Sequence, residues 1–161
     1  MNAPKLPLPE HRETTENHYA YHNYVTRDGR LTSQGIAQAA FGIGVLAEAC
    51  HVNAKQHGWW DSHGRNFGEI IALIHSEASE ALEAYRDSDD MTRITYGPCK
   101  ATSPVADNEV PKPEGVASEM ADIIIRVLDC CAALHIPIED ALIQKHAYNV
   151  TRPHRHGGKL I

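Results

Sequence analysis

Apolar residues recur at helical spacing in four stretches of the chain. The first runs through Ile36, Ala40, Ile43, Ala47 and Cys50, with Thr32 or Ser33 placed to cap its start and Gly58 placed to stop it. The second carries Ile70, Ile74 and Ala81. Asn66 and Glu69 have the spacing of a capping box ahead of it, and it runs to about Arg86. A third begins near Glu114 and places Val116, Met120, Ile123, Val127, Cys131 and Leu134 along one stripe, until Pro137 forces a break. The fourth starts at Ile138 and continues inward through Leu142, Lys145 and Asn149, with Ala141 and Tyr148 beside them. No segment alternates over enough residues to read as a strand. The pattern therefore predicts an all-α fold of four main helices.

Between the periodic stretches the chain changes character. Residues 1–31 are polar, rich in His, Tyr and Pro, and read as an N-terminal arm ahead of a single domain over 32–161. From Asp87 to Pro113 periodicity disappears, and Gly97, Pro98, Pro104, Pro111 and Pro113 mark a long loop or lid. A net charge of -6 over 161 residues argues against coating nucleic acid or binding a membrane through a polybasic face. No stretch approaches the apolar run of about 18 residues that a bilayer requires. Met1 to Glu10 lacks the basic-then-apolar order of a signal peptide, so the expected location is cytoplasmic. Cys50, Cys99, Cys130 and Cys131 form no C-x-x-C, and a bridge between the neighbours Cys130 and Cys131 would be strained. They read as small buried hydrophobes.

Carboxylates interrupt the apolar stripes at two places. Glu77 lies in line with Ile70, Ile74 and Ala81, and Glu119 falls between Val116 and Ile123. Each is followed three residues later by another acid, giving the pairs Glu77 with Glu80 and Glu119 with Asp122. On a solvated face a basic residue commonly follows at i+3 or i+4. Glu83 has Arg86 and Asp122 has Arg126, but Glu77 and Glu80 have no such neighbour. An ordinary surface is the competing reading. Four carboxylates converging from two helices, offering only oxygen, describe a site for Mg2+ or Mn2+ rather than zinc, and such sites usually handle phosphates. The 11 histidines are scattered without zinc spacing, and only Glu48 with His51 has the Glu-x-x-His form that a ferritin-like di-metal bundle needs twice.

The runs IHSEASEALEAYR and SEMADIIIRVLDCCAALHI, and the ending EDALIQKHAYNVTRPHRHGGKLI, resemble the MazG-like branch of the all-α nucleoside triphosphate pyrophosphohydrolases. The resemblance spans about residues 33–161. Its core is Glu-x-x-Glu then Glu-x-x-Asp, met by Glu77, Glu80, Glu119 and Asp122, followed by a helix bearing Lys145, Asn149 and then Arg152. The stretch between Glu80 and Glu119 is longer than in the simplest members.

The resemblance implies a MazG-like bundle that hydrolyses a nucleoside or deoxynucleoside triphosphate, with Mg2+, to the monophosphate and pyrophosphate. Glu77, Glu80, Glu119 and Asp122 would be the metal ligands, with one carboxylate, Glu80 or Glu77, orienting or deprotonating the attacking water. Lys145, Asn149 and Arg152 would grip the phosphates, against the alternative that Lys145 merely snorkels from a helix edge. Trp59 or Trp60 would stack on the base, with His63, Arg65 and Asn66 beside them, although adjacent tryptophans also serve simply as packing. The apolar stripes, together with the resemblance, imply a homodimer or homotetramer. A non-catalytic helical module that binds nucleotide without turning it over is the alternative function.

Overall fold

The computed structural model describes residues 21–61, 65–88, 90–97 and 111–155. Among these residues the chain is mostly helical, with four helices and two short strands. In order they are α1 (Ser33–Gln56), α2 (Phe67–Asp87), β1 (Thr95–Gly97), β2 (Lys112–Glu114), α3 (Val116–Ala133) and α4 (Ile138–Val150). They fall into two compact units. Of the described residues, one contains those within 57–127, and the other contains 21–56 together with 128–155.

In the first unit α2 opens as its sequence dictates. Asn66 accepts from Gly68 N at 2.7 Å, and Glu69 Oε2 accepts from Asn66 N at 3.2 Å, completing the capping box. A cap of this kind is worth about 1 kcal/mol. The helix buries Ile70, Glu77 and Ala81 along one stripe, with Ile74 half-buried between them. Residues 87–113 differ from the reading as a strandless loop. β1 and β2 pair antiparallel with Thr95 opposite Glu114 and Gly97 opposite Lys112. Three residues are too few to show an alternation in sequence, and Pro113 tells against a strand unless the strand lies at an edge. Much of that expected lid, residues 98–110, lies outside the described residues, as does Cys99.

In the second unit Thr32 caps α1 by accepting from Gly35 N at 3.0 Å. Gly58, at φ 76°, follows the helix end in the left-handed region. The α1 stripe buries Ala47 and Ala54 and half-buries Ala40, Ile43 and Cys50, while Ile36 stays exposed. Residues 21–31, read from sequence as the end of an arm, hold a turn closed by a bridge between Val25 and Leu31. Tyr24 O accepts from Thr32 N at 3.0 Å, and a Cβ at Gly35 would lie 2.0 Å from that carbonyl oxygen, so only glycine fits there.

α3 stops before Pro137 is reached. His135 adopts φ 55°, and Ile136 N donates to Cys131 O at 2.9 Å while His135 N donates to Ala132 O at 3.3 Å. That is a Schellman ending with histidine in the usual glycine position. α4 packs on α1 but buries no residue fully. Beyond the half-buried Ile138, the stripe expected to face inward is exposed in the single chain, Leu142 and Tyr148 prominently so. Ile143 and Val150 are half-buried instead.

One further expectation changes and another holds. α1, 24 residues long and holding an 18-residue window with a mean hydropathy of 1.3, is long and apolar enough by length and composition to cross a membrane. Counting apolar runs overlooked it because Gln38, Glu48 and His51 interrupt an otherwise apolar stretch. The cysteines do pack as small hydrophobes, with Cys130 and Cys131 buried and Cys50 half-buried. Burial pushes all three thiols up, so none is a ready nucleophile at neutral pH.

Candidate metal centre

α2 supplies Glu77 and α3 supplies Glu119 and Asp122, and one carboxylate oxygen from each lies within 4.8 Å of the other two. Glu77 and Glu119 are buried, at 5% and 7% exposure, and Asp122 is half-buried. The placement follows from the stripes. Glu77 is in line with Ile70 and Ala81, and Glu119 is in line with Ile123, so the helices that bury the aliphatics bury the acids too.

Glu80, the fourth member of the expected quartet, sits on the exposed part of α2 and accepts from Ser76 Oγ at 3.3 Å. It lies outside the group of three but acts on both α3 carboxylates through its charge.

The three acids are not equivalent. Glu77 Oε1 accepts from Arg126 Nε at 2.6 Å and also takes Arg126 Nη2, a two-pronged ion pair across the helices. Sequence spacing had matched Arg126 with Asp122 at i+4, so the cation of α3 serves the opposite helix instead. Glu119 Oε2 is buried and has no hydrogen-bond partner among the described residues. Burial pushes the Glu119 carboxyl up, and the neighbouring carboxylates Asp122, Glu80 and Glu77 add to this while Lys112 opposes it. Burial likewise raises Asp122, reinforced by Glu77 and Glu80 and opposed by Lys112 and Arg126. A buried anion with no partner is costly, and a small hard cation is the ligand that would satisfy it. The donor set is all oxygen and fits Mg2+ or Mn2+.

The aromatic pair divides. Trp59 is exposed and carries the Arg65 guanidinium 4.6 Å from its ring centroid, while Trp60 is half-buried. That cation already occupies one face of the Trp59 indole. His63 lies outside the described residues.

Lys145, Asn149 and Arg152 belong to the second unit. Lys145 Nζ sits 5.5 Å and the Arg152 guanidinium 6.0 Å from the Tyr148 ring centroid, so the three form one cation-aromatic patch at the end of α4. Asn149 is exposed beside them. The second unit also holds a cleft of about 530 Å³ lined by Glu48, His51, Lys55, His135 and Glu139 among others. His51 Nδ1 lies 2.9 Å from Asp129 Oδ1, so the histidine of the lone Glu-x-x-His pair is engaged by a carboxylate.

Sequence reading missed two members of the centre's surroundings. Lys112 stood in an aperiodic stretch between Pro111 and Pro113, where no helical spacing could relate it to Glu119. Arg126 was visible, but its true partner lies across the helix interface, which spacing along one helix cannot show. No protein-family model, no curated protein and no solved structure matches the chain.

Proposed function

We propose that the chain is a MazG-like, Mg2+-dependent hydrolase that cleaves a nucleoside triphosphate between the α and β phosphates. The observation that carries this reading is the buried Glu119 Oε2, which has no hydrogen-bond partner among the described residues and is set within reach of Glu77 and Asp122. A divalent cation held by Glu77, Glu119 and Asp122 would supply positive charge for the phosphate oxygens and for the attacking water. Water adds to the α phosphorus, the bridging bond to the β phosphate breaks, and monophosphate and pyrophosphate leave. Glu80, exposed and adjacent to the ligands by charge, is suited to orient the water and take its proton. In the second unit, Lys145 and Arg152 carry the positive charge, and Asn149 the polar group, that the resemblance assigns to phosphate binding. Trp59 offers its remaining face to the base.

The same reading takes the chain as cytoplasmic and as a homodimer or homotetramer with a MazG-like bundle. Support for assembly comes from the uncovered apolar side chains of α1, among them Phe41 at 70% and Val45 at 53% exposure, and of α4. One observation favours the second reading, a helical nucleotide-binding module without turnover. Arg126 already neutralises Glu77, leaving fewer carboxylate charges for catalytic metal.

Incubating the full chain with mixed nucleoside triphosphates and Mg2+, and separating the products by chromatography, tests the reading. Pyrophosphate with a monophosphate supports it. Diphosphate with orthophosphate overturns the cleavage position, and nucleotide binding without product supports the module.

A further inference from the structure

Glu119, Asp122 and Arg126 stand at i, i+3 and i+7 on α3, so one face of that helix carries two acids and a cation. The cation reaches across to α2. Its Nε and Nη2 both converge on Glu77 Oε1, the first at 2.6 Å, and the Glu77 side chain they meet is only 7% exposed. A carboxylate oxygen accepts through two lone pairs, so two N–H groups leave Oε1 with nothing to give to a further ligand. Glu77 therefore has one oxygen, Oε2, for an ion.

Charge leads to the same limit. Glu77, Glu119 and Asp122 each place an oxygen within 4.8 Å of the other two, and when ionised they carry one negative charge apiece. The guanidinium stays protonated in any protein environment and cancels one of them. What remains matches a single divalent cation. A pair of metal ions at the usual separation of about 3.5–4 Å would bring twice that charge, and Glu77 could not bridge them through both oxygens. Glu80, exposed on α2 and bonded to Ser76 Oγ, lies outside the three.

We propose that Arg126 is a positioning residue that restricts the acidic centre to one divalent ion, by engaging Glu77 through Oε1 and by cancelling one of the three carboxylate charges. This rests on the centre being a divalent-cation site. The ion is then shared by one oxygen of Glu77, by Asp122 and by Glu119, whose Oε2 is buried with no hydrogen-bond partner among the described residues. Without the guanidinium, Glu77 offers both oxygens and its full charge, and a second ion is accommodated beside the first.

Equilibrium dialysis of Mn2+ with the full chain, without nucleotide, tests this when metal content and the electron paramagnetic resonance spectrum are both read. The parent should hold about one Mn2+ per chain, with the hyperfine-split spectrum of an isolated ion. Arg126→Gln keeps a donor for Glu77 and Arg126→Met keeps the packing of the stem, but neither keeps the charge. Both should hold about two ions, with a spectrum broadened by coupling between neighbours. Arg126→Lys retains the charge and should stay at about one, with the parent's spectrum. Circular dichroism shows which variants are folded, and either charge-removing variant that folds decides the matter. A parent with two coupled ions, or a folded charge-removing variant that stays at one with the parent's spectrum, overturns the restriction and leaves the centre standing. A parent that binds no divalent ion overturns the centre itself, and the restriction with it.

Discussion

Glu119→Gln should stabilise the chain in chelator and destabilise it, relative to the parent, when a divalent ion is present. In the parent one oxygen of Glu119 is buried without a hydrogen-bond partner among the described residues, and two further acids lie within 4.8 Å. Leaving such a group unsatisfied costs about 1–3 kcal/mol, more where it is charged. Glutamine removes the charge and can donate to the carboxylates beside it, but it leaves a buried amide, so a net gain of about 1–2 kcal/mol is expected. For a chain of this length that raises Tm by roughly 2–8 °C. The parent, by contrast, should gain about 2.7 kcal/mol from an ion at one hundred times its dissociation constant. The variant should gain little, so the order of the two melting temperatures inverts between chelator and Mn2+. The pH dependence has a matching sign. Glu119 and Asp122 are raised above their ordinary 4.5 and 3.8, so the folded chain holds these protons more tightly than the unfolded chain. Their contribution to metal-free stability is best at low pH and is lost as pH rises from those values through the raised ones. Glu119→Gln should flatten that decline. Melting followed by circular dichroism in chelator and in Mn2+, across pH, measures all of this. A variant that melts below the parent in chelator, or a parent indifferent to Mn2+, refutes the reasoning.

Three further outcomes are expected. Arg126→Met should cost about 3 kcal/mol in urea unfolding by stranding a buried Glu77, and Glu77→Gln should recover much of it; additive losses in the double-mutant cycle would show that the pair is not coupled. Glu80→Gln and Asp122→Asn should each abolish most pyrophosphate release without lowering the metal-free melting temperature, and a large drop in that temperature would make these acids structural. Lys145→Ala should weaken nucleotide turnover alike for every base, whereas Trp59→Ala should act unequally among bases by about 1–3 kcal/mol at most; identical profiles for both, with lowered stability, would assign them to packing.

Helical spacing was enough to locate four helices, the Asn66 capping box and the two glutamates that interrupt buried stripes, because each of these depends on residues within a few turns of one another. The hairpin was not legible, since three-residue strands carry no alternation and Pro113 counts against one. The buried stripe of α4 was misjudged for a different reason. Periodicity shows that apolar residues share a face, but not whether another part of the same chain covers it, and Leu142 and Tyr148 remain uncovered. The centre was half legible. Glu77, Glu119 and Asp122 converge as their spacing suggests, while the pairing of Arg126 with Glu77 and the reach of Lys112 depend on how helices and hairpin meet in space.

The ion pair between Glu77 and Arg126 has a mechanical meaning as well as an electrostatic one. It joins α2 to α3 at a point one turn beyond Asp122, with two guanidinium nitrogens converging on the single oxygen Glu77 Oε1. Slippage of α3 by one residue would carry Glu119 about 1.5 Å along the axis and turn it some 100° away from its partners. Arg126 therefore works as a detent between two rods. Substitutions far along either helix can leave the acids in place as long as that detent holds, and a loosened detent would scatter them even with every carboxylate intact.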